Sequence, residues 1–280
     1  MKYICNIDKE LNEDFITEMS RFFDLDIHLV RLLYSRGINT QEKMKHYLSP
    51  SISDLHDPFL FENMQAVVEK IQTHIENDDK ILIFGDYDVD GISASAILIQ
   101  YFNSIGVKVT NYMPNRYEDG YGLSVSTLDK IFMKDTPDLI ITVDCGITSL
   151  EEVNYIKSKG IDVIVTDHHE PGDTIPDCLI INPKLSQTYP FKALCGAGVA
   201  LKLVQALAGI NVASKYLPIC AIATIADIVD LLDENRSIVY LGLKDADKLP
   251  VGIIKLMHEC GLDANKLTKS FKPPLRNIFI

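Results

Sequence analysis

From residue 80 onward, apolar positions fall into short β-rich runs: Lys80 to Gly85, Val107 to Met113, Asp138 to Val143, Ile161 to Thr166, and Cys178 to Ile181. Helix-length segments separate them. Runs of this kind alternating with helices predict βαβ units, and so an α/β fold with an open, mainly parallel sheet flanked by helices. Upstream, residues 1–78 read as helical. An amphipathic stretch from Asp26 to Ser35 closes at Gly37, Thr40 caps a short helix through Leu48, and Glu62 to Glu76 is a third candidate. Ser149, followed three residues later by Glu152, predicts a capping box for a helix ending near Gly160. Beyond residue 197 the pattern is helical again, over Gly198 to Leu207, Tyr216 to Asp227 and about Asn235 to Lys244.

The polar residues after these runs change the picture. Asp86, Asp88 and Asp90 follow the first run, Asp144 follows the third, and Asp167, His168 and His169 follow the fourth. In an open parallel sheet the carboxyl ends of the strands share one rim, where ligand crevices form, so these residues should converge. Carboxylates massed together repel one another unless cations or protons lie between them. Carboxylate oxygens with imidazole suit Mn²⁺ or Mg²⁺, and one carboxylate can bridge two such ions. Asp144, alone at its strand end, is the natural bridge. A further acid, Asp227, stands in the apolar helical run Thr224 to Val229, where a charge needs a partner.

Other readings of the same residues fare worse. Asp86 to Gly91 matches the start of an EF-hand loop, but the twelfth position is Ile97, where a bidentate Glu is required, and a strand precedes it. Neither a Walker A loop nor a glycine-spaced dinucleotide site is present. An aspartate at a strand end is often a turn residue or a helix cap, with Asp90 and Gly91 opening a helix from Ile92 to Ile105. That explanation serves for one residue better than for all of them. Asp88-Val89-Asp90-Gly91 also resembles the nucleophile motif of haloacid-dehalogenase-like phosphatases, which leaves the paired histidines unexplained.

Composition narrows the class. With 47% hydrophobic and 24% charged residues in 280, the chain has the usage of a folded, water-soluble protein. Its six cysteines are scattered, which suggests neither a zinc knuckle nor a disulfide framework, and no stretch resembles a signal peptide or a membrane span. A cytoplasmic location follows as the expectation. The net charge of −12 argues against a surface that embraces a phosphate backbone throughout, although a cation-filled acidic site presents a positive face.

The ordered set Asp86 to Gly91, Val143-Asp144-Cys145-Gly146 and Asp167-His168-His169 resembles the successive motifs of the DHH phosphoesterase superfamily, and within it the RecJ-type single-strand-specific exonucleases. Further matches are Pro114-Asn115-Arg116, Gly120 to Leu123, Ile181-Asn182-Pro183, Cys195 to Ala200, Ala223 to Asp227 and Glu234-Asn235-Arg236. The resemblance implies a two-metal phosphodiesterase that removes nucleotides from the 5′ end of single-stranded DNA in recombination and repair, with other DNA repair proteins as further partners. By similarity Asp88 and Asp144 hold one ion, and Asp90, Asp144, His168 and Asp227 the other. His169 meets the scissile phosphate, Arg116 is a candidate phosphate clamp, and Asp86 supplies coordination or holds the attacking water. Some branches carry a histidine ligand where this chain has Phe84. The implied organisation is an N-terminal helical segment (1–60), a DHH catalytic domain (61–245) and a C-terminal helical linker (246–280). Family members continue into further domains, so the expectation is a truncated catalytic domain or a natural short form. Two alternatives share the motifs: a hydrolase of short oligonucleotides or small nucleotides, and an inactive repair scaffold.

Overall fold

The computed structural model describes residues 11–115 and 122–261. Three short helices come first: α1 (Glu13–Phe23), α2 (Ile27–Ser35) and α3 (Gln41–Leu48). Each is capped by a side chain, Asn12, Asp26 and Thr40, which accepts from a backbone N–H of the first turn. They enclose a small core of their own, including Ile16, Met19, Val30, Leu33, Met44 and Tyr47. After α4 (Met64–Glu76) the chain alternates: β1 (Ile81–Gly85), α5 (Val89–Ser104), β2 (Val109–Tyr112), α6 (Val125–Lys134), β3 (Leu139–Val143), α7 (Leu150–Ser158), β4 (Asp162–Thr166) and β5 (Leu179–Ile181). The remainder is helical, with α8 (Gly196–Ala208), α9 (Ile210–Ala213), α10 (Leu217–Ala226), α11 (Asp233–Lys244) and α12 (Val251–Glu259). The far end of the expected C-terminal linker, 262–280, lies outside the described residues.

All five expected strands form, and every pairing is parallel, in the order β2-β1-β3-β4-β5. The central strands are buried on both faces, as the unbroken apolar runs require. Alternate side chains divide two cores: Ile81, Ile83, Leu139, Ile141 and Ile164 pack beneath α4, α5, α8 and α10, while Leu82, Phe84, Ile140, Val163 and Val165 meet α6 and α7. Among the described residues no helix is long and apolar enough to cross a membrane.

One local expectation is corrected, and one alternative reading is refined. Ser149 makes no side-chain cap to α7, because its ψ of 60° lies outside the extended region from which a cap reaches back. A capping box does form at Ser51 and Asp54, on a 3₁₀ turn. The N-cap of α5 is Asp88 rather than Asp90, and the helix begins at Val89.

The strand order reverses direction once: the chain leaves β1 for β2 on one side and returns to β3 on the other. A reversal of this kind is where ligand crevices form, between the carboxyl ends of β1 and β3. The register sharpens this. Gly85, Val143, Thr166 and Ile181 lie side by side, so the next residue of each strand, Asp86, Asp144, Asp167 and Asn182, stands along one rim.

Candidate metal centre

The turn after β3 carries its aspartate in a left-handed conformation, with φ 59° at Asp144. Asp144 N–H donates to Thr166 O at 3.0 Å, and Thr142 Oγ1 donates to Cys145 O at 2.8 Å, so the turn is tied to β4 and to itself. Asp144 Oδ1 lies 3.1 Å from His168 Nε2, and that nitrogen lies 3.5 Å from Asp90 Oδ2 and 3.7 Å from Asp227 Oδ2. Three overlapping groups have ligand atoms within 4.8 Å of one another: Asp86, Asp88 and Asp144; Asp90, His168 and Asp227; and Asp144, His168 and His169. All the expected ligands converge, with Asp144 common to two of the groups. Phe84, by contrast, is wholly buried and stacks on Tyr112, away from the rim. Arg116 lies outside the described residues, as do Gly120 and Tyr121.

The carboxylates differ in what else they hold. Asp88 Oδ1 accepts from Gly91 N–H at 2.9 Å, capping α5, and Asp86 Oδ1 accepts from Tyr87 N–H at 2.7 Å. Asp90 reaches across to α8, where its two oxygens accept from the N–H groups of Gly196 (2.5 Å) and Ala197 (2.8 Å). A helix N-terminus offers unsatisfied donors and positive potential, so this carboxylate is largely compensated within the protein. Asp144 has no such donor. Its Oδ1 and His168 Nε2 are buried, and despite their 3.1 Å separation neither makes a hydrogen bond of acceptable angle. Burial first, then the charges of Asp90 and Asp88, pushes the Asp144 carboxyl up to about 10. The same causes raise Asp227, burial again leading, against a lowering pull from His168.

Two buried atoms without partners, facing oxygen and imidazole donors, make a donor set that fits a hard or borderline divalent cation. A cation there supplies the missing partner and reverses the cost of ionising Asp144.

The motif aspartate Asp167, which carried no separate role in the reading of the chain, is an organiser. Its Oδ1 accepts from His168 N–H (2.7 Å), His169 N–H (3.1 Å) and His169 Nδ1 (2.8 Å), and its Oδ2 accepts from Ile147 N–H (2.9 Å). Burial alone would raise its carboxyl, but these bonds hold it below its ordinary value. The same bond to Asp167 raises His169. Asn182, the rim residue of β5, donates from Nδ2 to His169 O at 3.0 Å and fastens the histidine loop from the other side. Its place in Ile181-Asn182-Pro183, one residue past a strand, was the available signal.

Glycines hold the same ground open. A Cβ on Gly196 would stand 2.6 to 2.8 Å from Asp144 side-chain atoms, and one on Gly91 2.5 to 2.8 Å from the Asp86 backbone. Both lie below any normal contact distance.

Residues 80–226 match the model of the DHH family, N-terminal domain. The chain is 37% identical over 267 residues to the single-stranded-DNA-specific exonuclease RecJ of Bacillus subtilis, covering 93% of this chain and 34% of that protein. To RecJ of Escherichia coli it is 35% identical over 262 residues, 86% of this chain and 44% of that one. The crystal structure of RecJ from Thermus thermophilus in complex with Mn²⁺ superposes with a TM-score of 0.75 at 27% identity, over 91% of this chain and 37% of that one. The chain thus spans well under half the length of these relatives. With its rim of aspartates and histidines in family order, the chain belongs to the DHH family.

Proposed function

We propose that this chain is the catalytic part of a divalent-metal-dependent phosphodiesterase that removes nucleotides from the 5′ end of single-stranded DNA. The observation that carries the reading is the pairing of Asp144 Oδ1 and His168 Nε2, buried and unpartnered at the junction of two acidic groups. Support comes from relatives that are single-stranded-DNA-specific exonucleases and from the Mn²⁺ complex of one of them.

Asp86 and Asp88 would face one Mn²⁺ or Mg²⁺ ion, Asp90, His168 and Asp227 a second, and Asp144 both. Such ions, when bound, lower the pKa of water and neutralise charge on the leaving oxygen. The protein's own groups do the rest. The Asp144 backbone is held by its left-handed turn and by the bond to Thr166 O, which fixes where its carboxylate starts from. His169 is held at Nδ1 by Asp167 and has 44% of its side chain exposed. With its pKa raised by Asp167, the imidazolium persists nearer neutral pH and can donate from Nε2 to a phosphate oxygen. Asp167 holds that ring at Nδ1, and Asn182 fastens the backbone that carries it. Residues 61–245 are the catalytic unit in this reading, acting on DNA in the cytoplasm, with other repair proteins as partners.

The test is hydrolysis of 5′-labelled single-stranded DNA with Mn²⁺, comparing wild type with Asp144→Ala. Loss of a shared ligand should lower the rate by at least about 100-fold, since supporting residues alone are worth roughly 10- to 100-fold. Equal rates in the two proteins would remove the mechanism.

A further inference from the structure

Five non-glycine residues among those described adopt the left-handed backbone, and four are aspartates: Asp24, Asp78, Asp144 and Asp233. Aspartate tolerates that region because its short side chain bonds locally. The fifth is Ile228, at φ 57°. A β-branched residue there is a genuine outlier, and the usual occupant of this position, one past a helix C-cap, is glycine. Burial does not hold it in place, since Ile228 is 90% exposed. Both the strain and the exposed apolar surface therefore count against it in the free protein, and such outliers gather at functional sites.

Its location is specific. Ile228 directly follows Asp227, whose carboxylate belongs to the group with Asp90 and His168. Ile225, one turn earlier on α10, is also exposed. On the facing helix α5, which packs against α10, Val89 and Ile92 are exposed beside Asp88 and Asp90. Four exposed aliphatic residues thus lie within two positions of Asp88, Asp90 or Asp227 along two packed helices.

We infer that Ile228, with this collar, contacts the base of a nucleotide whose phosphate lies at the metal centre, so that the site grips its strand through an apolar face as well as through phosphate. The inference rests on the proposed phosphodiesterase reading. Aliphatic side chains serve as base contacts and wedges elsewhere, and an unpaired strand exposes the faces they need. Duplex DNA stacks those faces away, so the contact favours single strands.

Two variants separate contact from backbone. Ile228→Asn tolerates the left-handed turn and removes the apolar group, while Ile228→Leu keeps an apolar group at the same point. The substrates are a 5′-phosphorylated oligothymidylate and the same strand with abasic residues at its first two positions, hydrolysed with Mn²⁺. For wild type, KM should rise roughly tenfold on the abasic strand, the worth of about two buried methylene groups. Ile228→Asn should show that raised KM on both strands, with unchanged Mn²⁺ affinity by calorimetry and a Tm higher by about 2 to 4 °C as strain is relieved. Ile228→Leu should restore the difference between the strands. If Ile228→Asn discriminates the two strands as wild type does, the inference is overturned while the phosphodiesterase reading stands. A wild-type protein that cleaves neither strand overturns both.

Discussion

Replacing Gly196 by alanine puts one methyl group against the residue on which the site turns. The added Cβ would lie 2.6 Å from Asp144 Cβ, 2.7 Å from its Oδ1 and 2.8 Å from its Cγ, where ordinary contact begins at 3.4 Å. The shortfall at the nearest atom is 3.4 minus 2.6, or 0.8 Å, and neither side can yield freely. The start of α8 is pinned by the Gly196 and Ala197 N–H bonds to Asp90. Asp144 is pinned by its left-handed turn and its bond to Thr166 O. Overpacking of this kind costs about 1 to 3 kcal/mol. Relaxation by moving the carboxylate should instead weaken divalent-ion binding by about 10- to 100-fold, as displacement of a ligand's support does. Calorimetric titration with Mn²⁺, paired with thermal melting, measures both. Gly198→Ala is the matched control: it lies on the same helix, and the nearest atoms its Cβ would meet belong to the Leu194 side chain, at 3.1 Å and beyond. A Gly196→Ala protein with wild-type Mn²⁺ affinity and wild-type Tm would refute the claim that this glycine makes room for Asp144.

Two further outcomes follow from buried charge. Since the Asp144 carboxyl is pushed up to about 10, above its unfolded value, its contribution to metal-free stability is complete at acid pH and is lost as pH rises towards 10. Between about pH 6 and 9 the Tm of metal-free wild type should fall more steeply than that of Asp144→Asn, and saturating Mn²⁺ should remove the difference; parallel slopes without metal would contradict it. On the far side of α8, Lys202 and Glu234 form an ion pair with both side chains fully buried, and Lys202 Nζ also donates to His56 O at 2.8 Å. Glu234 also accepts from Tyr189 OH and His56 N–H, but Lys202→Met leaves it buried without its cation and should cost about 3 to 5 kcal/mol in urea denaturation, with part regained in Lys202→Met/Glu234→Gln; a single variant as stable as wild type would show that those two hydrogen bonds suffice for the charge.

The sheet could be read from the chain because its strands are buried on both faces, which turns each into an apolar run that ends in a polar residue. The same abrupt ends marked Asp86, Asp144 and Asp167. Caps are legible unevenly: Thr40 does cap α3, as expected. α1 is capped by Asn12, whose side chain accepts from Phe15 N–H, and α6 by Ser124, which accepts from Thr127 N–H, and no apolar run announces either cap. The box expected at Ser149 failed for the opposite reason: the residue pair was present, but the turn leading out of Asp144 and Gly146 sets Ser149 at a backbone angle from which its hydroxyl cannot cap.

What the chain could not disclose is which acids are already satisfied. Counting carboxylates at strand ends gives a cluster in want of cations, yet Asp90 is met by the N-terminus of a helix that begins more than a hundred residues later, and Asp167 by four donors from its own rim. Those compensations depend on where α8 lands and how the β3 and β4 turns curl, neither of which is written in local pattern. Once they are subtracted, the unmet demand concentrates on Asp144 Oδ1 and His168 Nε2. Asp90 then has two duties, since the carboxylate that would face an ion also fastens α8, and α8 carries the glycine that makes room for Asp144. Removing Asp90 should therefore loosen the protein as well as the site, whereas removing Asp144 relieves a buried acid and should harm the site alone.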